Sequence, residues 1–167
     1  MKIDWKIYNW SELTTDILYS ILALRSEVFV VEQDCVYQDI DNKDQKAKHL
    51  LGYDKDVLVA HSRLLKPGDY FDQHSFGRAV VKKSHRGLGL GDELVKRSIK
   101  ELGDQTEIKI SAQYHLEKLY KKNGFISVGN TYLEDGIPHI AMFRNLSTSS
   151  VALKTLDKFR YCFLRPF

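Results

Sequence analysis

The chain has 167 residues, a length that suits one domain able to bury about two thirds of its unfolded surface. Its formal net charge of +3 is too small to indicate a nucleic-acid-binding protein, and the excess lies in the last 21 residues, with four basic side chains and one acidic. No apolar run approaches the ~20 residues of a membrane span. Because Cys35 and Cys162 stand far apart without a metal-ligand pattern, we expect no disulfide, no bound metal and a cytoplasmic protein.

The first third of the chain predicts a strand, a helix and a hairpin. Ile3, Trp5 and Ile7 alternate with polar residues, as in a half-buried strand. Thr14 or Thr15 can cap a helix whose apolar residues recur at helical spacing over residues 17–29, about four turns. Two apolar runs, residues 50–53 and 57–65, flank the polar residues 54–56 and indicate a β-hairpin.

An acidic segment without periodicity, residues 32–48, separates that helix from the hairpin. Its aspartates, Asp39, Asp41 and Asp44, suggest a calcium loop at first sight. An EF-hand loop starting at Asp39 would need glycine at position 44 and glutamate at position 50, which are Asp44 and Leu50 here. We therefore expect a solvated loop or one that faces a substrate.

A glycine-rich turn, residues 86–91, links a predicted strand at residues 76–81 to a helix with Leu90, Leu94, Val95 and Ile99 at helical spacing. Its glycines allow backbone N–H groups to converge beside the positive end of the helix dipole, which suits a phosphate or pyrophosphate. The spacing matches neither a Walker loop nor a dinucleotide-binding fingerprint. A tight, closely packed connection is the alternative.

The remaining elements complete a mixed sheet. Residues 107–112 alternate as a strand, residues 114–122 form a helix that Asn123-Gly124 ends, and residues 125–133 and 137–146 pair around an Asp-Gly turn. The fold class is α/β (α+β), with helices on the faces of the sheet. The tail, residues 147–167, is expected to be a short linker followed by an apolar, basic arm that packs on its own domain or on a second copy; a membrane surface is a further option.

Several ordered motifs resemble one family. Arg86-x-x-Gly89-x-Gly91 after a strand resembles the Gln/Arg-x-x-Gly-x-Gly/Ala motif of the GNAT N-acetyltransferases. Three further segments, Val28-Phe-Val-Val-Glu-Gln33, Tyr37-Gln-Asp-Ile-Asp41 and Glu134-Asp-Gly-Ile-Pro-His139, are similar to its ElaA-like branch. The resemblance implies a mostly antiparallel sheet of about seven strands, an acetyltransferase domain at residues 1–146 and a tail at 147–167 that is not a separate domain.

The resemblance also implies acetyl-CoA as co-substrate. The turn would hold its pyrophosphate and the preceding strand its pantetheine and acetyl parts, and the cofactor-binding residues are then Ala79, Val80, Val81, Arg86, Gly87, Leu88, Gly89, Leu90, Gly91 and, more loosely, Gln113. In that family the acidic segment flanks the substrate groove. It thereby offers four candidates to meet a cationic amine: Glu32, Tyr37, Asp39 and Asp41.

Catalysis needs an acid and a base. Tyr120 resembles the family's tyrosine that protonates the departing CoA thiolate, although an aromatic packing role fits its spacing too. A protonated amine must lose a proton to attack. Position 108, where some members keep a glutamate, is isoleucine here, so the candidate bases are Glu32, Glu134, Asp135 and His139, of which Glu134 and His139 stand with Tyr120 as catalytic residues.

These residues predict an N-acetyltransferase that transfers acetyl to a primary amine of a small molecule or peptide by direct attack in a ternary complex. An acyl-CoA-binding regulatory domain without turnover is the alternative, and a purely structural interaction domain is the third. We expect no nucleic-acid partner and no membrane span; a homodimer through the tail stays open.

Overall fold

Seven strands and three α-helices make up the part of the chain that the computed structural model describes, residues 2–145. The predictions for residues 146–167, which include the tail and a dimer formed through it, lie outside the described residues. The strands are β1 Asp4–Asn9, β2 Lys48–Asp54, β3 Val57–Leu65, β4 Ser75–Val81, β5 Ile108–Gln113, β6 Ile126–Glu134 and β7 Ile137–Arg144. The helices are α1 Thr15–Arg25, α2 Leu90–Leu102 and α3 Glu117–Lys122, and a π-helical segment spans Ser26–Glu32.

The strands form two antiparallel sheets, in the orders β1-β2-β3-β4 and β5-β7-β6. The sheets meet where β4 and β5 run parallel, at a single bridge between His74 and Ile108, with the Lys109 N–H donating to the His74 carbonyl at 2.9 Å. Beyond this bridge the two strands separate. The predicted mixed, mostly antiparallel sheet is confirmed, and a cleft opens between β4 and β5.

Helices cover both faces of this sheet, as predicted. On one face α2 buries Leu94, Val95 and Ile99 against the strands. On the other, α1 buries Ile21 and Leu24 against the sheet. Helix α1 starts as the sequence indicates, because the Thr14 hydroxyl accepts a hydrogen bond from the Ile17 N–H at 3.3 Å. Within residues 2–145, no helix combines the length and apolar character needed to cross a membrane.

The first helix ends differently from the prediction of a regular helix over residues 17–29. The α-helical hydrogen bonding stops at Arg25 and the backbone widens into the π segment, whose end is marked by the Gln33 N–H donating to the Val28 carbonyl at 3.1 Å. Such π segments are frequent at functional sites. The wider turn carries Glu27 and Glu32 towards the glycine turn.

The C-terminal elements follow the sequence closely. Asp135 and Gly136 both have positive φ, 50° and 78°, as the two central residues of a type I′ hairpin turn require. Gly124, with φ of 85°, ends the preceding helix as expected. That helix begins later than predicted, since Tyr114–Leu116 is a 3₁₀ turn and α3 starts at Glu117.

Candidate active site

Strand β4 carries a β-bulge at the cleft. His61 of β3 faces Val80 and Arg63 faces Gly77, so that Arg78 and Ala79 together stand opposite Ser62. Arg78 adopts φ of 50°, which is uncommon for a residue with a side chain. Among residues 2–145, β4 is the last strand of its sheet, and its backbone groups on the cleft side beyond His74 have no strand partner there. The bulge and the free edge leave N–H and C=O groups available to a ligand.

The glycine turn is open towards the cleft. Gly87 and Gly89 have φ of 77° and 80°, and a Cβ placed on either would meet no atom of the described residues within 4 Å. Gly89 is the residue before α2, and Leu88 is 64% exposed. The alternative of a closely packed connection therefore lacks support: these glycines leave room for a ligand over the N–H groups at a helix start.

The acidic residues in the first turn of α2 are paired away from this opening. Asp92 accepts from Lys122 at 3.0 Å and from Asn123 at 2.9 Å and also pairs with Lys96. Glu93 accepts from the Trp5 indole N–H at 2.9 Å and from Arg97. The turn thus keeps its capacity for an anion.

Arg86 joins the glycine turn to the π segment. Its Nε donates to the Val81 carbonyl at 3.0 Å, and its two terminal nitrogens donate to the two carboxylate oxygens of Glu32, one of them at 3.1 Å. The hydrogen bonds from Arg86 lower the pKa of Glu32. Glu32 was predicted to meet the acceptor amine and was one of the candidate bases; in the structure its carboxylate is paired with Arg86 of the glycine turn.

Tyr120 packs as an aromatic core residue beside the cleft strand. Its ring lies 6.2 Å from Phe76 of β4 and 5.9 Å from Phe125, and the residue is 7% exposed. Burial raises its pKa to about 12, so the phenol stays protonated at neutral pH. Within residues 2–145 its hydroxyl has no hydrogen-bond partner. A protonated hydroxyl beside the cleft strand, without a partner in this part of the chain, can donate to a ligand.

A hydroxyl-carboxylate chain lies across the second sheet. Ser111 Oγ on β5 donates to Glu134 at 2.6 Å and lies 2.6 Å from the Tyr132 hydroxyl. Because the single hydroxyl proton of Ser111 goes to the carboxylate, Tyr132 is the donor in the second bond. His139 stacks on Tyr132 with ring centroids 6.3 Å apart, and its Nδ1 donates to the Ile137 carbonyl at 2.8 Å. The side chains of Glu134 and His139 thus lie on the same face of the second sheet.

Two contacts connect the acidic segment to this face. The side-chain amides of Gln33 and Gln113 exchange hydrogen bonds of 3.2 and 3.4 Å, and the Cys35 thiol donates to the Asp135 carbonyl at 3.2 Å. Gln113 was expected to contact CoA; the structure puts it at the end of β5, against the segment that follows α1. The acidic segment is therefore held against the end of β5 and the tip of the β6-β7 hairpin.

The aspartates of the acidic segment face arginines, which corrects the expectation of a solvated or substrate-facing loop. Asp39 lies 2.8 Å from Arg25 Nε and 2.7 Å from Arg78 Nε, and Arg25 Nη1 lies 2.7 Å from Asp44. The Tyr37 hydroxyl donates to Asp39 at 2.8 Å. Arg25 is fully buried. Tyr37 and Asp39 thus belong to a structural network.

Asp41 is held in the same way. Arg63 donates to both of its carboxylate oxygens, at 2.6 and 2.8 Å. Burial alone would raise the pKa of Asp41, but the hydrogen bonds and charge of Arg63 outweigh it and hold the pKa well below its ordinary value. With their carboxylates committed to arginines, Asp39 and Asp41 are poor candidates to bind an amine.

A pair of buried histidines, for which the sequence shows no motif, lies beneath this network. His49 Nδ1 and His61 Nε2 are 3.2 Å apart, and His49 Nε2 donates to the Asp44 carbonyl at 3.0 Å. Burial lowers the pKa of both imidazoles, which favours their neutral forms. Their one sequence signal is position, since His61 lies on the second strand of the predicted hairpin and His49 directly before the first; in the structure they lie on β3 and β2.

An edge strand that parts from its parallel neighbour, together with an open glycine turn at a helix start, suits an extended ligand that carries an anionic group. A family model described as acetyltransferase (GNAT) domain matches residues 17–146. Protein ElaA of Escherichia coli strain K12 is 41% identical over 149 residues, 86% of this chain and 97% of that protein. The chain belongs to the GNAT family, in its ElaA-like branch, and is an acyltransferase.

Solved structures agree with this assignment. The crystal structure of Escherichia coli ElaA matches with a TM-score of 0.80 at 40% identity, covering 86% of this chain and 99% of that one. An acyl-CoA N-acyltransferase from Pseudomonas aeruginosa matches with a TM-score of 0.79 at 41% identity, with the same coverage. The predicted family and fold are confirmed.

Proposed function

We propose that the protein is an acetyl-CoA-dependent N-acetyltransferase that acetylates a primary amine of a small molecule or peptide by direct attack within a ternary complex. The observation that carries the proposal is the divergence of β4 from β5 above the open glycine turn. A gap of this kind admits a pantetheine arm alongside backbone groups that have no strand partner within the described residues. The free, buried thiol of Cys35 supports a cytoplasmic location.

The co-substrate would follow the cleft. The N–H groups of residues 87–91 would bind the pyrophosphate at the start of α2, helped by the helix dipole. Pantetheine would pair with the free edge of β4 at Ala79, Val80 and Val81. The thioester would then lie near the bulge, where a backbone N–H could stabilise the oxyanion that forms when the amine attacks.

Tyr120 would donate the proton that the departing thiolate needs. Its position against Phe76 places it beside β4, and its raised pKa keeps the proton available at neutral pH. The same raised pKa makes complete proton transfer from Tyr120 to the thiolate, whose conjugate thiol has a pKa of ~8.5, less favourable. Tyr120 would therefore act mainly by a hydrogen bond that stabilises the negative charge developing on sulfur.

Glu134 would accept the proton of the incoming ammonium. Its carboxylate already orders Ser111 and, through it, Tyr132, and this chain gives a route from the face of β5 to the carboxylate. His139 would assist, because donation from Nδ1 leaves Nε2 of the neutral ring as an acceptor. A positioned base is what a regulatory domain that only binds acyl-CoA would lack.

Release of CoA thiol tests the proposal. Purified full chain with acetyl-CoA and a set of primary amines and short peptides should release thiol in proportion to added amine, with the acetylated amine formed in equal amount. Acetyl-CoA binding by calorimetry, without amine-dependent thiol release from any acceptor, would favour the regulatory domain instead.

A further inference from the structure

We infer that Gly77 is a specificity-determining residue for the acceptor: the side chain that it lacks leaves the space through which the primary amine reaches the thioester. The inference rests on the proposed function and concerns the acceptor half of the same site. The amine and its first carbons then lie over Gly77, on the face of β4 opposite Tyr120. A side chain at position 77 would exclude them without disturbing acetyl-CoA.

Glycine is an unfavourable residue at this position of the strand. Gly77 lies within β4, and Ser75, Phe76 and Val80 of the same strand are no more than 3% exposed. Glycine weakens a strand because it has no side chain to pack and loses more backbone freedom on folding than other residues. Within strands it often marks a bulge or a place that a ligand or another backbone approaches closely.

Neither the backbone nor the packing of the described residues requires glycine at this position. The φ of Gly77 is not positive, and the positive φ of the neighbouring bulge, 50°, belongs to Arg78. Chain neighbours aside, a Cβ placed on Gly77 would meet no atom of the described residues within 4 Å. Gly52 on β2 is the opposite case, because a Cβ there would lie 2.9 Å from the ring of Trp5. The close approach of a ligand is the reason that fits Gly77.

The strand register shows which face this space occupies. Phe76 and Gly77 are consecutive, so they project from opposite faces of β4, and the Phe76 ring lies 6.2 Å from that of Tyr120. Gly77 pairs with Arg63 of β3, and directly paired residues project to the same face. The Arg63 guanidinium donates to Asp41 of the acidic segment at 2.6 Å. The space over Gly77 therefore lies on the face of the acidic segment, opposite Tyr120.

The proposed base lies on the same face as this space. Ser111 stands on β5 between two residues of the buried cluster that includes Phe76, so its side chain projects away from that cluster, as position 77 does. Ser111 Oγ donates to the Glu134 carboxylate at 2.6 Å. The split between β4 and β5 thus has Tyr120 on one side and both Gly77 and Glu134 on the other.

This arrangement suits attack on a thioester held at the split. Tyr120 donates to the sulfur from one face, so the amine has to reach the carbonyl carbon from the other. Reacting atoms must come within about 3.5 Å of each other, and a methyl or isopropyl group at position 77 would fill that path. Acetyl-CoA itself would pair with the edge of β4 in the plane of the sheet and would not need the space over Gly77.

Two CoA derivatives test the inference without a known acceptor. S-acetonyl-CoA replaces the acetyl group by a non-hydrolysable ketone. The product of CoA with N-ethyl-2-bromoacetamide carries an ethylamide on the same carbonyl, which adds acceptor atoms. Calorimetry on the full chain measures both Kd values. We expect Gly77→Val to keep the wild-type Kd for S-acetonyl-CoA and to bind the ethylamide derivative about tenfold more weakly or worse, with Gly77→Ala intermediate.

Thermal unfolding separates this effect from damage to the fold. The Tm of Gly77→Ala and Gly77→Val should stay or rise, because glycine is the poorer strand residue and the space is open. Gly52→Ala is the matched control: its Cβ meets Trp5, so the Tm should fall while both Kd values stay unchanged. A lower Tm for Gly77→Ala would show that the protein fills the space and would overturn the inference.

The pattern of the two Kd values decides the inference. Equal weakening of both derivatives by Gly77→Val would give the space to the acyl-CoA, and unchanged affinity for both would show that no acceptor lies over Gly77. Either result overturns the inference and leaves the acetyltransferase function in place. If the wild-type chain bound neither derivative, the CoA site and the proposed function would be rejected instead, and the inference with them.

Discussion

The guanidinium of Arg86 pairs with the carboxylate of Glu32 through both terminal nitrogens. Arg86 belongs to the glycine turn and Glu32 is the last residue of the π segment, so this pair connects the proposed pyrophosphate site to the segment that leads to the acceptor side. A second ion pair joins the same two parts of the chain: Lys82 Nζ lies 2.6 Å from a carboxylate oxygen of Glu27. Two acidic residues of the π segment therefore neutralise two basic residues at or near the glycine turn.

The first prediction concerns this pair. Glu32→Gln removes a negative charge from the anion site and frees Arg86, so the Kd for acetyl-CoA should fall about threefold, an effect typical of an exposed ion pair. The gain should shrink as salt rises, since screening weakens exposed charges. Titration calorimetry at low and high salt measures it, with the remote Glu12→Gln as control. Weaker binding by Glu32→Gln would mean that the pair holds Arg86 in its binding position.

The second prediction concerns Tyr120. Tyr120→Phe keeps the ring that packs on Phe76 and Phe125 and removes the hydroxyl. We expect kcat to fall about a hundredfold, as for loss of a general acid, with an unchanged Kd for acetyl-CoA. The Tm should change little, because the hydroxyl makes no hydrogen bond within residues 2–145 and the ring packing is kept. Normal turnover by this variant would assign Tyr120 to packing alone.

The third prediction separates the candidate bases. Glu134→Gln should lower kcat/KM about a hundredfold at neutral pH and should lose less at high pH, where the free amine exists without a base. Asp135→Asn is the neighbouring control; asparagine tolerates the positive φ of this position. If the two variants lost activity equally, or if only Asp135→Asn lost it, Glu134 would not be the base.

The fourth prediction concerns the network of aspartates and arginines. Asp41→Asn leaves Arg63, 3% exposed, without its bidentate partner, and should lower the free energy of unfolding at pH 7 by about 2 kcal/mol. The pKa of Asp41 is depressed in the folded state. Its contribution is therefore present above the unfolded pKa of ~3.9 and is lost as pH falls below it.

Denaturant unfolding at pH 7 and pH 3 tests the expected direction of this pH dependence of stability. Wild type should lose more stability between the two pH values than Asp41→Asn, and the exposed Asp56→Asn should behave like wild type. Equal pH dependence of wild type and Asp41→Asn would show that the Arg63 pair contributes no stability.

Local signals in the sequence predicted local structure well. Gly124, the Asp135-Gly136 turn and the helix start at Thr14 each act through neighbouring residues, and all three are found where expected. The change from α to π hydrogen bonding after Arg25 has no such signal, because the apolar spacing continues through Phe29. The predicted helical spacing of apolar residues was therefore correct, but the prediction of a regular α-helix beyond Arg25 was wrong.

The contacts between side chains that are distant in sequence could not be predicted from the sequence alone. Arg25 and Asp39 are 14 residues apart and Arg78 and Asp41 are 37 apart, so only the fold brings them together. Asp39 and Asp41 therefore looked free for a substrate. Ser111 was not predicted as a site residue for the same reason: its carboxylate partner, Glu134, lies on another strand, 23 residues away.

Binding of acetyl-CoA to Gly89→Glu tests the central claim most directly. Gly129→Glu is the matched control, since Gly129 also has positive φ, 82°, and open space around it, but lies on β6. Calorimetry on both folded variants should show no measurable binding for Gly89→Glu and wild-type affinity for Gly129→Glu, because bulk and negative charge would fill the anion site. Wild-type affinity in Gly89→Glu would contradict a pyrophosphate site at the glycine turn.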